Sequence, residues 1–301
     1  MTRVSQHPVQ AFLISLAAVG VLSVMDAVMK ALVLAIGLYA VSVWRALVGL
    51  VLAGAFYLPR KLPWPRRATL GIHVGRGALV TVMGLLFFWG LGRIPMAQAI
   101  ALTFIAPLIA LALAAAFLGE QIGRRSILGS VAAFAGVIVI VVGQLRAEMG
   151  PGVLVGSLAV LGSAVCYAGN IVLMRHQALA AKPLEISFFQ SLTVTLLLVI
   201  SVPFLGMPVW PGIQWGWIVV AALMSFSGIL LFSFAYARAE AGYLSVTEYT
   251  GFLWAAALGW LVFREPVSVD TVAGAALIVG GCLIAARREP NDAAPEMEVA
   301  A

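Results

Sequence analysis

The sequence predicts an all-α integral membrane protein with ten transmembrane helices, arranged as two five-helix repeats of inverted topology. Three observations predict it. Of the 301 residues 63% are hydrophobic and 10% charged, with mean hydropathy +1.08, whereas soluble domains run about 45–50% apolar and about 25% charged. The chain divides at charged, Pro-rich and Gly-rich breaks into ten apolar runs. Its second half also repeats the first at one fixed offset.

A helix needs about 20 apolar residues to cross a bilayer. Residues 1–10 place Arg3 ahead of the first run, as a cleaved leader would, but the repeat requires that run as a helix, so they are taken as a cytoplasmic N-terminus. The first unit, residues 11–144, is expected to span the membrane at 11–35, 40–59, 69–91, 95–118 and 126–144, with Arg60, Lys61, Arg66 and Arg67 after the second run and Arg124 and Arg125 before the fifth. The second unit, residues 153–287, is expected to span at 153–174, 185–205, 214–236, 243–263 and 271–287. Its second and third runs form one uncharged stretch, divided at Pro203, Pro208 and Pro211 because proline clusters mark connections. Residues 288–301 are polar, acidic and Pro-containing, and read as a disordered cytoplasmic tail.

With the N-terminus inside, the outer loops hold only Arg93, Arg146 and Arg264, and Lys30, Arg45 and Arg76 fall within spans. All the other Lys and Arg, out of 18, lie on the inner side. The positive-inside bias therefore puts both termini in the cytoplasm of a multi-pass protein of a bacterial-type inner membrane. The same topology accounts for the net charge of +6. No basic stripe carries interleaved stacking aromatics, so no nucleic-acid partner is expected. Cys166 and Cys282 stand alone within apolar runs and read as small core residues.

An offset of 145 positions aligns Ser42 with Ser187, Arg93 with Arg238, Glu120 with Glu265, Gly129 with Gly274 and Gly136 with Gly281, and sets Lys30 against Arg175 and Arg45 against Gln190. Five spans per unit is an odd number. The second copy must therefore enter the bilayer from the opposite face, an arrangement that recurs among secondary transporters.

An ionisable side chain at a helix centre costs about 2.5–3.5 kcal/mol on insertion scales, so each needs an interior position, a partner or an aqueous cavity. Asp26 and Lys30 lie four residues apart on one helix face; they are read either as a structural ion pair or as a site where Asp26 titrates or meets substrate. Arg45 is a candidate for forked contact with a carboxylate or for gating, and Arg76, with His73 one turn earlier, for structural pairing or snorkelling. Glu248 has no cation three or four residues away on its own helix. It needs a cation from another helix or a proton, which makes Glu248 and Asp26 the proton-coupling candidates and Glu248 a substrate-binding or gating candidate as well. Gln98, with Thr103 and Pro107 nearby, and Tyr167 and Asn170 supply neutral polar groups for the same cavity or for neighbouring helices. The glycines at 129, 136, 274 and 281 smooth one face of the last span of each unit, marking a structural or dimer-facing pair and leaving a homodimer open.

No catalytic, P-loop or metal-ligand motif occurs, so neither an enzyme, a bound cofactor, a metal site nor an ATP motor is expected. The segments LGRIPMAQAIALTFIAPLIALALAAAFLGEQIGRRSILGSVAAFAGVIVIV and ARAEAGYLSVTEYTGFLWAAALGWLVFREPVSVDTVAGAALIVGGCLIAA share a short turn, an apolar helix ending in Gly-Glu or Arg-Glu, and a glycine-spaced final helix. In this pattern the chain resembles the drug/metabolite transporter superfamily, specifically proteins with two EamA domains. Asp26 with Lys30, Arg45 and the stretch HVGRG are similar to its S-adenosylmethionine uptake subgroup, although Glu248 lacks that subgroup's neighbouring basic residue. The resemblance implies ten helices, a central cavity lined by the first four helices of each unit, and transport without ATP. The expected activity is alternating-access transport of a small polar metabolite, a vitamin, cofactor or amino-acid-derived compound such as riboflavin or S-adenosylmethionine. Efflux of amino acids, metallophores or drugs is the alternative, and a membrane enzyme or scaffold subunit the second one.

Overall fold

A computed structural model describes residues 8–60, 64–106, 108, 109, 113, 124–146, 152–236 and 247–286. The N-terminal residues 1–7, the expected tail from residue 287 on, Pro107, Glu120 and Arg238 lie outside them. No strand occurs among the described residues.

In the first half, α1 (Pro8–Ile36) and α2 (Leu38–Tyr57) are separated only by Gly37, at a φ of 83° that suits glycine and strains other residues. A short 3-10 turn at Leu58–Arg60 precedes α3 (Arg67–Leu91), α4 (Met96–Thr103) and α5 (Arg124–Arg146). The second half holds α6 (Gly152–Ala180), α7 (Pro183–Ile200), the single turn α8 (Val202–Leu205), α9 (Trp215–Tyr236), α10 (Gly251–Phe263) and α11 (Val269–Ala286). Pro203 lies in the first turn of α8, and Gly206 at φ 84° ends it, so the long uncharged stretch breaks at its proline cluster.

Among the described residues six helices are long and apolar enough to cross a membrane: Val9–Ile36, Leu38–Arg60, Arg67–Leu91, Gly152–Asn170, Leu184–Leu205 and Gly212–Phe232. Three shorter apolar helices, Ile127–Gly143, Gly251–Phe263 and Val269–Gly281, fall where further spans are expected. Of the expected span 95–118, α4 and a few residues beyond it are described. Large side chains such as Val51 (71% exposed), Leu253 (67%) and Phe134 (60%) point away from the chain's own core. An apolar girdle of this extent is a hydrocarbon-facing surface. The chain is a multi-pass membrane protein.

The largest packing pairs recur when the halves are exchanged. α3 packs on α6 as α9 packs on α1, α3 meets α7 as α9 meets α2, and α4 meets α6 as α10 meets α1, while α2 with α7, α4 with α10 and α5 with α11 pair across the exchange. The α5–α11 seam shows its direction. A Cβ on Gly136 would lie 2.5 Å from the Gly274 carbonyl oxygen and 2.8 Å from Ile278 Cγ1, and one on Gly281 would strike the Gly129 carbonyl oxygen. Residue numbers rise along one helix as they fall along the other, so these equivalent helices run antiparallel, and each glycine's contact is mirrored by its counterpart. The glycine faces thus meet within the chain. Replacing Gly136 by leucine forces the backbones apart and is expected to cost about 1–3 kcal/mol, the usual range for overpacking. The unfolding midpoint of the purified protein should fall accordingly, and a midpoint equal to wild type would show that the seam is not tight.

Candidate functional site

The helical pattern breaks at two equivalent places deep in the bundle. α4 ends at Thr103, and Phe104 N–H reaches only to the Ala101 carbonyl at 3.2 Å. In the second half, Thr250 N–H reaches Thr247 O at 3.0 Å and Phe252 N–H reaches Tyr249 O at 3.2 Å before α10 begins. Thr103 and Thr250 turn their hydroxyls back onto the Ile100 and Thr247 carbonyls, at 2.7 and 2.6 Å. Phe104 and Tyr249 are separated by the repeat offset of 145, and their rings meet edge to face with centroids 5.3 Å apart. The two breaks therefore face each other across the line that relates the halves. Irregular backbone at membrane depth persists only inside protein or beside a wet cavity, and paired interruptions in two halves are the best pointer to a transport site.

Glu248 adjoins the second break, and further charged and polar groups lie on α1, α2, α4 and α6. Asp26 (α1) and Arg45 (α2) attract each other electrostatically, yet the only ion pairs within 4.0 Å among the described residues are Lys30–Glu265 and His73–Glu185. Asp26 and Arg45 are thus electrostatic neighbours without an ion-pair contact. Arg45 donates from Nη1 to Ser225 Oγ on α9 at 3.4 Å, sits 5.8 Å from the Phe88 ring centroid, and keeps its Nε buried without a partner. Asp26, Arg45, Tyr167 and Glu248 are all half-buried, and each lies within an expected span, where lipid-facing carboxylates and guanidinium groups are too costly. Tyr167 on α6 is an electrostatic neighbour of Glu248. Gln98 on α4 is 3% exposed, and its side-chain oxygen has no hydrogen-bond partner. Trp254 lies against Gly20 of α1, where a Cβ would come within 3.2 Å of its ring, whereas Trp260 is exposed.

Two predicted site residues are drawn elsewhere. Asn170 accepts a hydrogen bond from Arg76 Nε at 2.8 Å, and Arg76 Nη1 donates to Gln177 Oε1. Arg76 is therefore satisfied by neutral amides on α6, with no carboxylate among the described residues within ion-pair distance. Lys30 takes Glu265, from the connection between α10 and α11, as its partner in place of Asp26, and donates to the Ile94 carbonyl at 2.7 Å. The other Glu265 oxygen accepts the Met96 N–H at 2.8 Å, one of the donors that the start of α4 leaves unsatisfied within the helix. Lys30 is 3% exposed, Ile94 1% and Met96 0%, so the lysine end of this clamp between the halves is buried, while the Glu265 side chain keeps 20% of its surface exposed. Sequence reasoning passed over Glu265, Gln177, Glu185 and Ser225. For Glu265 the signal lay in the repeat, which preserves a cation at 30 and 175 and a glutamate at 120 and 265.

The EamA-like transporter family matches the chain twice, over residues 10–142 and 154–287. Two curated relatives, pseudopaline exporters CntI from Pseudomonas aeruginosa strains UCBPP-PA14 and PAO1, are each 26% identical to it, over 225 and 228 residues, about 70% of this chain and 73% of theirs. A crystal structure of a protein superposes with a TM-score of 0.62 at 20% identity, spanning 92% of this chain and 96% of its own. That likeness extends the shared fold over nearly the whole molecule.

Proposed function

Because this chain belongs to the EamA-like transporter family, and is thus a transporter and not an enzyme, we propose that it carries a small polar metabolite bearing both charges across the inner membrane by alternating access. The arrangement that carries this reading is the neighbouring Asp26 and Arg45, which attract without touching. Two opposite charges held apart in the interior leave a place for a ligand that supplies their missing partners. Arg45 would take a carboxylate and Asp26 an ammonium, with Gln98, Tyr167 and Glu248 around the same chamber. Ten helices with both termini cytoplasmic form part of this reading, supported by the distribution of Lys and Arg and by the antiparallel run of α5 and α11. The Lys30–Glu265 clamp then lies toward the outer face and ties the halves together there. Riboflavin or S-adenosylmethionine uptake gains no support from the relatives. The second reading, efflux of a metallophore, is favoured by the two pseudopaline exporters among them.

A flux screen in proteoliposomes of known orientation, covering zwitterionic metabolites, vitamins and nucleoside-derived cofactors, tests the reading. Saturable flux is expected for a compound carrying both an amine and a carboxylate, and flux of none of them would overturn it. Proton coupling through Asp26 or Glu248 is tested in the same vesicles with and without a pH gradient. Asp26→Asn and Glu248→Gln should each reduce the gradient dependence; if both variants keep the wild-type dependence, neither residue couples protons.

A further inference from the structure

The ends of α3 carry different chemistry. Its C-terminal end leads into Ile94 and the Lys30 clamp, while some 18 residues earlier, about 27 Å along the helix, His73 and Arg76 enter a buried polar chain that the chamber does not use. The chain runs from Asn170 through Arg76, Gln177 and His73 to Glu185. His73 is 0% exposed and Gln177 1%, so no group in the middle of the chain exchanges a partner for bulk water.

The donor inventory fixes every proton. A guanidinium only donates, so the carboxamide oxygen of Gln177 must face Arg76, as it does. The NH2 of Gln177 consequently faces His73 Nδ1. An NH2 group also only donates, so Nδ1 must present a lone pair. The single ring proton then sits on Nε2, directed at Glu185 Oε1 3.2 Å away. His73 is thereby held as the neutral imidazole protonated at Nε2. A second proton, taken from water onto Nδ1, sets N–H against NH2. Turning Gln177 over relieves that clash but aims its NH2 at the guanidinium, and the Arg76–Gln177 bond is lost.

We propose that His73 is a proton-binding site linked to Arg76: protonation of the ring and the Arg76–Gln177 bond exclude each other, so that binding one proton breaks one of the two bonds that tie the guanidinium to α6. The groups facing the ring are Glu185 and Phe189 from α7, the latter stacked at 5.1 Å and 11°, Gln177 from α6, and Arg76 from its own helix. Behind Phe189 lie Tyr57 of α2, whose hydroxyl is an electrostatic neighbour of Glu185, and Trp64. The consequence for transport rests on the reading above, because loss of one of Arg76's two bonds to α6 weakens the hold of α3 on α6 between the two halves, but the proton assignment does not depend on it.

Nitrogen-15 NMR of the full chain labelled at histidine, in lipid bilayers, tests the assignment directly, since only His7 and His176 contribute besides His73 and each is removable by glutamine. Wild type at pH 7.5 should show a neutral His73 ring with the proton on Nε2. In Gln177→Glu a carboxylate accepts from both neighbours, and most molecules should carry an imidazolium at the same pH. In Arg76→Ala the amide is free to turn, and the ring should be protonated in a clearly larger fraction than in wild type at pH 6. A wild-type ring protonated on Nδ1 would overturn the proposal, as would a protonated fraction unchanged in the folded variants. Loss of flux with an intact Nε2–H signal would instead count against the transport reading alone.

Discussion

Replacing Lys30 by methionine is expected to be the most destabilising single substitution in the chain, by about 3–5 kcal/mol, the cost of removing one partner from a buried ion pair. Lys30 is 4% and Glu265 20% exposed at the side chain, so the carboxylate left behind keeps little water, and the Ile94 carbonyl loses its donor as well. Thermal unfolding of purified protein in lipid nanodiscs measures the loss. Glu265→Gln should cost less, because an amide still accepts from Met96 N–H or Lys30. The double variant should be more stable than Lys30→Met alone, since no uncompensated charge then remains. If Lys30→Met and wild type unfold together, the clamp does not hold the halves.

The second large effect is on transport. Arg45→Gln removes a guanidinium whose Nε has no protein partner and whose contact with Ser225 is long, so little of its hydrogen bonding is committed to the fold. A hydrogen bond to a charged group contributes about 1.5–3 kcal/mol, which predicts a rise in the half-saturation concentration of roughly 10- to 150-fold with a small change in unfolding midpoint. Arg45→Lys keeps the charge without the planar fork and should fall between the two. A purely structural role would give the opposite pattern, a lower midpoint and unaltered half-saturation. Substrate flux and unfolding measured on the same preparations separate the two outcomes.

Much of the architecture was legible because burial in lipid leaves a coarse signal. The proline cluster at 203, 208 and 211 marked the break that α8 and its glycine exit make, and the seven-residue glycine spacing marked the faces that meet in the α5–α11 seam. Partner choice was not legible. Asp26 and Lys30 share a helix face, and spacing alone pairs them; the chain instead brings Glu265 to Lys30 from 235 residues away. Sequence states that a buried charge needs a partner, whereas only the packing of helices decides which element presents it. The same holds for Arg76, whose amide partners on α6 carry no charge and so left no electrostatic pattern to read. The break at Phe104 and Tyr249 lay within reach, since the offset pairs the two residues, but neither position carries a glycine or proline to announce it.

The mirrored packing of the halves has a further consequence. A scaffold that looks alike when turned upside down has no intrinsic sense of up and down, and any polarity must be written onto it by residues that break the likeness. Here one mouth is fastened by a lysine with a carboxylate, the other by an imidazole, two amides and a guanidinium. The first fastening holds no histidine, while the second contains the one kind of side chain whose ordinary titration falls inside the physiological range. The two ends are thus equipped to answer to different aqueous compartments, although the frame beneath them is the same.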